Sequence, residues 1–404
     1  MPNTPQFKYF LSHKKNPVQK GSWIWPDLLP MSRHQQPNDA GICVSYGDYF
    51  TAARNFLEQD GSEIITRAVS QQIHREVTSQ EIEEINIFLE KHGEFYHPAR
   101  IETVLHGTAI PFVLNMAISD AGKNCVQREY GLLKQLNEDF PFSFLPKVYG
   151  QDCVSIAGNE IGMFLGEWFQ GYKEFHISLD PADEKHKIVV WDHEHGNYFL
   201  TDDQATNLYR QAARILTCYY NVNTFEHIFS WHHAAGDFVL ICQNNRIDLK
   251  LITVRQYRPL FENNTGSKDK NPDAERILEA LLVFFFNLAI RMRLDRLDGV
   301  GKIVWSCDSA LKGTLKGFFE GLTLKPQIRE LDKPLVYCFR NHLLSCSRAE
   351  LLDLNRSIVQ VYHSRAPEVP VIKQHLTQHV EDLYHAIQHY KEYPKNQLNL
   401  LQFI

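Results

Sequence analysis

The chain contains no CxxC pair: its eight cysteines stand singly at positions 43, 125, 153, 218, 242, 307, 338 and 346. That spacing argues against a thiolate zinc centre or a thioredoxin-type redox pair, and points to reduced cysteines in a cytoplasmic protein. Nor is there an apolar run of the roughly 20 residues that cross a bilayer. The most apolar stretch, Ile277 to Ile290, is shorter and is interrupted by Glu279 and Asn287, so it is expected to be a buried helix and no membrane partner is expected. Positive charge is not in excess either. With 42 Lys and Arg against 48 Asp and Glu, the net charge is −6, and nucleic acid is not a general electrostatic partner. The start, with Lys8, His13, Lys14 and Lys15 and no apolar core, lacks secretory character. No internal repeat or extended low-complexity tract is present.

What is there has ordinary globular texture, 44% hydrophobic and 22% charged over 404 residues, enough for two or three subdomains. Residues 1 to about 40 read as an irregular arm anchored by Trp23 and Trp25. Residues 48 to 92 read as helices, one with Tyr49, Ala52, Ala53 and Phe56 on a face. A second would carry Ile82, Ile85, Ile87 and Leu89 behind a cap at Thr78 to Glu81. From Arg100 the texture becomes strand, strand, helix, strand, strand. The helix has Val126, Tyr130, Leu133 and Leu136 on its stripe and Arg128, Glu129 and Lys134 off it. A hairpin at 188–200, a helix at 203–220, a second hairpin and a mostly helical remainder follow. The last strong helix spans 371–391 and repeats Ile372, Leu376, Val380, Leu383 and Ile387.

The second hairpin carries the chemistry. In His232-His233-Ala234-Ala235-Gly236-Asp237-Phe238-Val239-Leu240-Ile241 and Arg246-Ile247-Asp248-Leu249-Lys250-Leu251, each strand bears an aspartate, which strands disfavour. Folding back is expected to bring Asp237 and Asp248 towards one end, where two carboxylates could hold a hard divalent cation beside the histidines. By contrast His193 and His195, in Asp192-His193-Glu194-His195, read as a solvated hairpin tip.

This element order, with the Gly236-to-Leu240 stretch, resembles the protein-kinase-like fold, particularly its aminoglycoside-phosphotransferase-like branch, over roughly residues 95 to 325. The resemblance implies an α+β, bilobal chain. It would comprise an N-terminal arm and helical extension (1–94), a small antiparallel β-rich lobe with one helix (95–172), a larger mostly helical lobe with the catalytic-type hairpin (173–325) and a C-terminal helical extension (326–404). ATP with Mg²⁺ would lie between the lobes. In that family the catalytic loop reads approximately His-Gly-Asp-x-x-x-x-Asn and a metal-binding Asp follows the hairpin. Asp237 then takes the place of the Asn and Asp248 that of the second Asp. His232 stands where the family has its catalytic Asp, and His233 is the neighbouring candidate. Asn115 falls where the phosphate-binding cation is expected, with Lys123 as a substitute and Glu129 as its pairing acid. Glu167 to Phe169 would contact the base ring, and His106-Gly107-Thr108 is a thin glycine loop.

Three functions follow. The first is an ATP- and Mg²⁺-dependent phosphotransferase acting on an unidentified small-molecule or protein acceptor, or a nucleotidyl transferase on the same scaffold. The second is a catalytically impaired pseudokinase serving as a binding or regulatory module, favoured by Asn115, His232 and the thin glycine loop. The third, in another fold, is a metal-dependent hydrolase using the His and Asp residues.

Overall fold

The computed structural model describes residues 5–11, 17–30, 43–93, 95–229, 231, 236–244, 246–259 and 272–390. They form a mixed α/β protein of two compact units, one comprising 1–139 and 146–170 and the other 140–145 and 171–404.

The first unit is built on β1 (Gln6–Leu11), α1 (Tyr46–Ile73), β2 (Ile82–Leu89), β3 (His97–Leu105), β4 (Thr108–Ala117), α2 (Asp120–Asp139), β5 (Val148–Ile156) and β6 (Asn159–Glu167). Its sheet runs β1-β2-β3-β4-β6-β5, with β1 parallel to β2 and every other pairing antiparallel. Residues before and after position 94 therefore share one sheet.

Ser45 opens α1 as a capping box with Asp48, and Tyr49, Ala52, Ala53 and Phe56 are all fully buried on its inner face. The second expected helix is instead β2. Its Ile85, Ile87 and Leu89 recur every second residue and pair with Thr103, Ile101 and Ala99 of β3. That two-residue period and the β-branched isoleucines favour a strand, and Thr78 and Glu81 cap only a single 3₁₀ turn before it.

Trp25 of the arm packs against Tyr9 and Phe50, whereas Trp23 is 74% exposed. His106 and Gly107 both have positive φ, 50° and 73°, and join β3 to β4 as a two-residue hairpin turn.

The second unit holds β7 (Phe175–Asp180), β8 (Lys185–Val190), β9 (Tyr198–Phe199), α3 (Asp202–Cys218), β10 (Glu226–Phe229), β11 (Phe238–Gln243), β12 (Arg246–Leu251) and β13 (Gln256–Pro259). After these come α4 (Ala274–Arg291), β14 (Leu294–Arg296), β15 (Ile303–Trp305), α5 (Asp308–Thr323), α6 (Leu335–Ser345), α7 (Arg348–Val361) and α8 (Glu368–His389). The small sheets are β7-β8-β9, β10-β13, β11-β12 and β14-β15.

The expected hairpin near 188–200 forms between β8 and β9, and β7 adds a third strand. The expected buried helix at 277–290 is α4. Among the described residues no helix is long and apolar enough to cross a membrane. Phe285, Phe318 and Phe339 pack together in the helical core in tilted and edge-to-face arrangements, with 4.5 Å between the Phe285 and Phe318 centroids. The five periodic residues of α8 are all buried.

The packing of α3 on α5 is unusually close. Gly313, Gly317 and Gly321 recur every fourth residue of α5, and a Cβ built on Gly317 would lie 1.8 Å from the Arg210 carbonyl oxygen. Backbone meets backbone there because no side chain intervenes.

Candidate functional site

The acidic hairpin forms where the sequence placed it. Phe238, Leu240, Ile247, Leu249 and Leu251 turn one face into the core, and Leu240 pairs with Leu249. Its outer edge is held by α3: the Gln211 amide donates to the Ile247 carbonyl and accepts from the Leu249 N–H at 3.1 Å. Lys173 joins the other side through two backbone bonds with Leu240, at 2.7 and 3.0 Å.

The register, however, keeps the two aspartates apart. Asp248 lies opposite Ile241, while the Asp237 carbonyl accepts from the Ile252 N–H at 2.8 Å at the hairpin's open end. Four residues of strand separate the two positions, about 13 Å at ~3.3 Å per residue. Two oxygens on one Mg²⁺ can lie no more than about 4.2 Å apart, since each bond is ~2.1 Å. The hairpin therefore does not bring Asp237 and Asp248 to one ion, correcting the expected convergence. Across the open end from Asp237 stand Ile252 and Thr253, neither of them charged.

Asp237 is 1% exposed, and its carboxylate is taken by a different partner. The Arg255 guanidinium donates to both oxygens, Nη1 to Oδ2 at 2.5 Å and Nη2 to Oδ1 at 2.6 Å. A buried carboxylate needs such a counter-charge, and a planar guanidinium supplies it bidentately. Arg255 was not singled out in the sequence, because it lies beyond the hairpin, 18 positions after Asp237. Glu174 is a second acid the sequence left unread. Its Oε1 lies 3.6 Å from where a Cβ on Gly236 would sit, and its Oε2 is 4.0 Å from His176 Nε2. Asp248 is exposed near the hairpin tip beside Gln243, Asn244 and Arg246, and accepts from the Tyr172 hydroxyl. His232 and His233 lie outside the described residues.

The expected cofactor residues all belong to the first unit. Asn115 is buried in β4, opposite Pro98 of β3 and Phe164 of β6. Glu129 lies on the buried stripe of α2 with Val126, Leu133 and Leu136, not off it, while Tyr130 is only half-buried. Glu129 accepts from the Tyr96 hydroxyl at 3.0 Å. Lys123 is paired with Asp120 at 2.8 Å and lies 3.8 Å from Glu160, which raises its pKa. Glu167 ends β6 with its carboxylate accepting from the Lys147 N–H at 3.1 Å, and Phe169 follows it half-buried.

Asp192, Glu194 and His195 present ligand atoms within 4.8 Å of one another. Asp192 caps its own turn by accepting from the backbone N–H groups of Glu194 and His195, and Lys173 lies 3.3 Å from both carboxylates. The motif is a charged turn with its own cation, as expected for a solvated tip. Across the whole chain no protein-family model matches, and a search of curated proteins finds no significant relative.

Proposed function

We propose that the chain is a catalytically impaired relative of the protein-kinase-like fold, serving as a binding or regulatory module. The two-lobed kinase-like arrangement belongs to this reading and rests on the order of elements from β3 to α5. The observation that carries it is the bidentate hold of Arg255 on Asp237. A guanidinium bonds both oxygens of the acid that a divalent cation would need and already supplies the counter-charge that the cation would bring. Asn115 at the cation position of β4 supports the same reading, as does the two-residue turn in place of a glycine-rich loop.

Thermal shift and calorimetry with ATP and ADP, with and without Mg²⁺, test this. A ligand at one hundred times its Kd stabilises a native state by about 2.7 kcal/mol, which melting resolves. The expected result is no Mg²⁺-dependent response to either nucleotide. Mg²⁺-dependent ATP binding that disappears in Asp248→Ala would overturn the proposal and restore an ATP-dependent phosphotransferase.

A further inference from the structure

A cavity of about 270 Å³ opens within the second unit, well away in sequence from the acidic hairpin. Its inner wall is apolar and fixed: Ile177, Ile188, Leu200 and Tyr209 are all buried. Trp305 completes the wall, and its ring is stacked on His375 at 5.2 Å, nearly parallel at 10°. Two ring systems in one small wall favour a ligand with a large flat or bulky apolar part.

The mouth has a different chemistry. Lys185 and Asp202 line the same cavity, both exposed, and neither makes an ion pair among the described residues. Lys187 beside them is already neutralised by Asp180 and Asp183, each at 2.8 Å. The mouth therefore offers one available positive and one available negative charge. The volume is slightly below the usual range of ligand pockets, about 300 to 1,000 Å³, so the ligand must be small.

We propose that this cavity binds a free α-amino acid with a large apolar side chain. The side chain enters between Tyr209 and Trp305, the carboxylate meets Lys185 and the ammonium meets Asp202. The site is independent of the proposed pseudokinase reading, because none of its lining residues belongs to the hairpin.

The test uses the full chain and three probes: L-phenylalanine, 3-phenylpropionate without the ammonium, and 2-phenylethylamine without the carboxylate. Cys307 lies on the cavity lining and is exposed, so its alkylation rate, read by mass spectrometry, reports occupancy. L-Phenylalanine is expected to slow alkylation of Cys307 while leaving exposed Cys43 unchanged. A lost charge-assisted contact is worth about 1.5–3 kcal/mol, so each truncated probe should bind at least ~10-fold more weakly.

Lys185→Ala, at an exposed position, should weaken L-phenylalanine about 10-fold and leave 2-phenylethylamine unchanged. Ala205→Met should fill the cavity and abolish protection by L-phenylalanine. Absence of protection by L-phenylalanine in the unaltered chain would overturn the proposal. So would protection by either truncated probe as strong as that by L-phenylalanine.

Discussion

Arg255 grips Asp237 with two parallel hydrogen bonds, although it stands 18 positions further along the chain and a whole strand hairpin lies between them. This pair ties the segment after β12 back to the start of β11. With Asp237 almost wholly buried, its charge depends on the guanidinium for compensation. Breaking a buried pair by removing one partner costs about 3–5 kcal/mol. Arg255 itself is 34% exposed, so the lower end applies.

Arg255→Ala is therefore expected to destabilise the chain by about 3 kcal/mol, seen as a lower urea midpoint with an unchanged slope. The double variant Asp237→Asn with Arg255→Met should recover most of that loss, because no uncompensated charge remains. If the single variant costs nothing, the pair is not holding the hairpin.

Asp248 should behave in the opposite way. It is exposed and its only described hydrogen bond is from the Tyr172 hydroxyl. Asp248→Asn and Tyr172→Phe are each expected to change stability by less than about 0.5 kcal/mol, as surface substitutions do. A loss comparable to that of Arg255→Ala would mean that Asp248 carries a structural role its surroundings do not reveal.

Much of this fold was legible because periodicity reports burial directly. The stripe of α8, the inner face of α1 and the two-strand texture of the acidic hairpin all came from spacing alone. The isoleucines of β2 misled because Ile82 and Ile85 are three apart, a helical spacing, while Ile85, Ile87 and Leu89 are two apart. The pairing with β3 decided between them, and that contact is not local in sequence.

The candidate site was harder for the same reason. Sequence placed both aspartates on one hairpin but could not fix its register, and register determined that they stay apart. Glu129 was displaced from its stripe by its charge, yet in the fold a tyrosine hydroxyl meets it. The glycine row on α5 went unread because small residues carry no hydrophobic signal.

That row supplies a third prediction. Gly317→Ala would drive a Cβ to 1.8 Å from the Arg210 carbonyl, against backbone that cannot swing aside, and Gly313→Ala would meet the Thr206 carbonyl at 2.5 Å. Both should destabilise strongly, Gly317→Ala the more so, by over about 3 kcal/mol or to the point of misfolding. Gly131, exposed on α2, has nothing within 4 Å of a built Cβ. There the same substitution should stabilise by about 0.5–1 kcal/mol through helix propensity. Circular-dichroism melts of the three variants give the comparison. A tolerated Gly317→Ala would mean that α3 and α5 do not approach so closely.

The last prediction concerns acid. His227 and His379 are buried, and burial lowers their pKa from 6.5 to about 4 and about 3. Nearby arginines push the same way, Arg291 and Arg258 at His227 and Arg293 at His379. Neither His379 ring nitrogen nor His227 Nε2 has a hydrogen-bond partner among the described residues. Both rings are therefore neutral in the fold at neutral pH. The unfolded chain binds protons at these histidines near pH 6.5, and the folded chain does not until much lower. Stability from keeping them neutral is complete above pH 6.5 and is lost as pH falls towards 4. By pH 5 each histidine should have cost about 2 kcal/mol. Urea denaturation at pH 7 and pH 5 should show that fall, and His227→Leu and His379→Leu should each flatten it. An equally steep fall in both variants would assign the acid sensitivity to other groups, and would mean that these two rings are protonated in the fold.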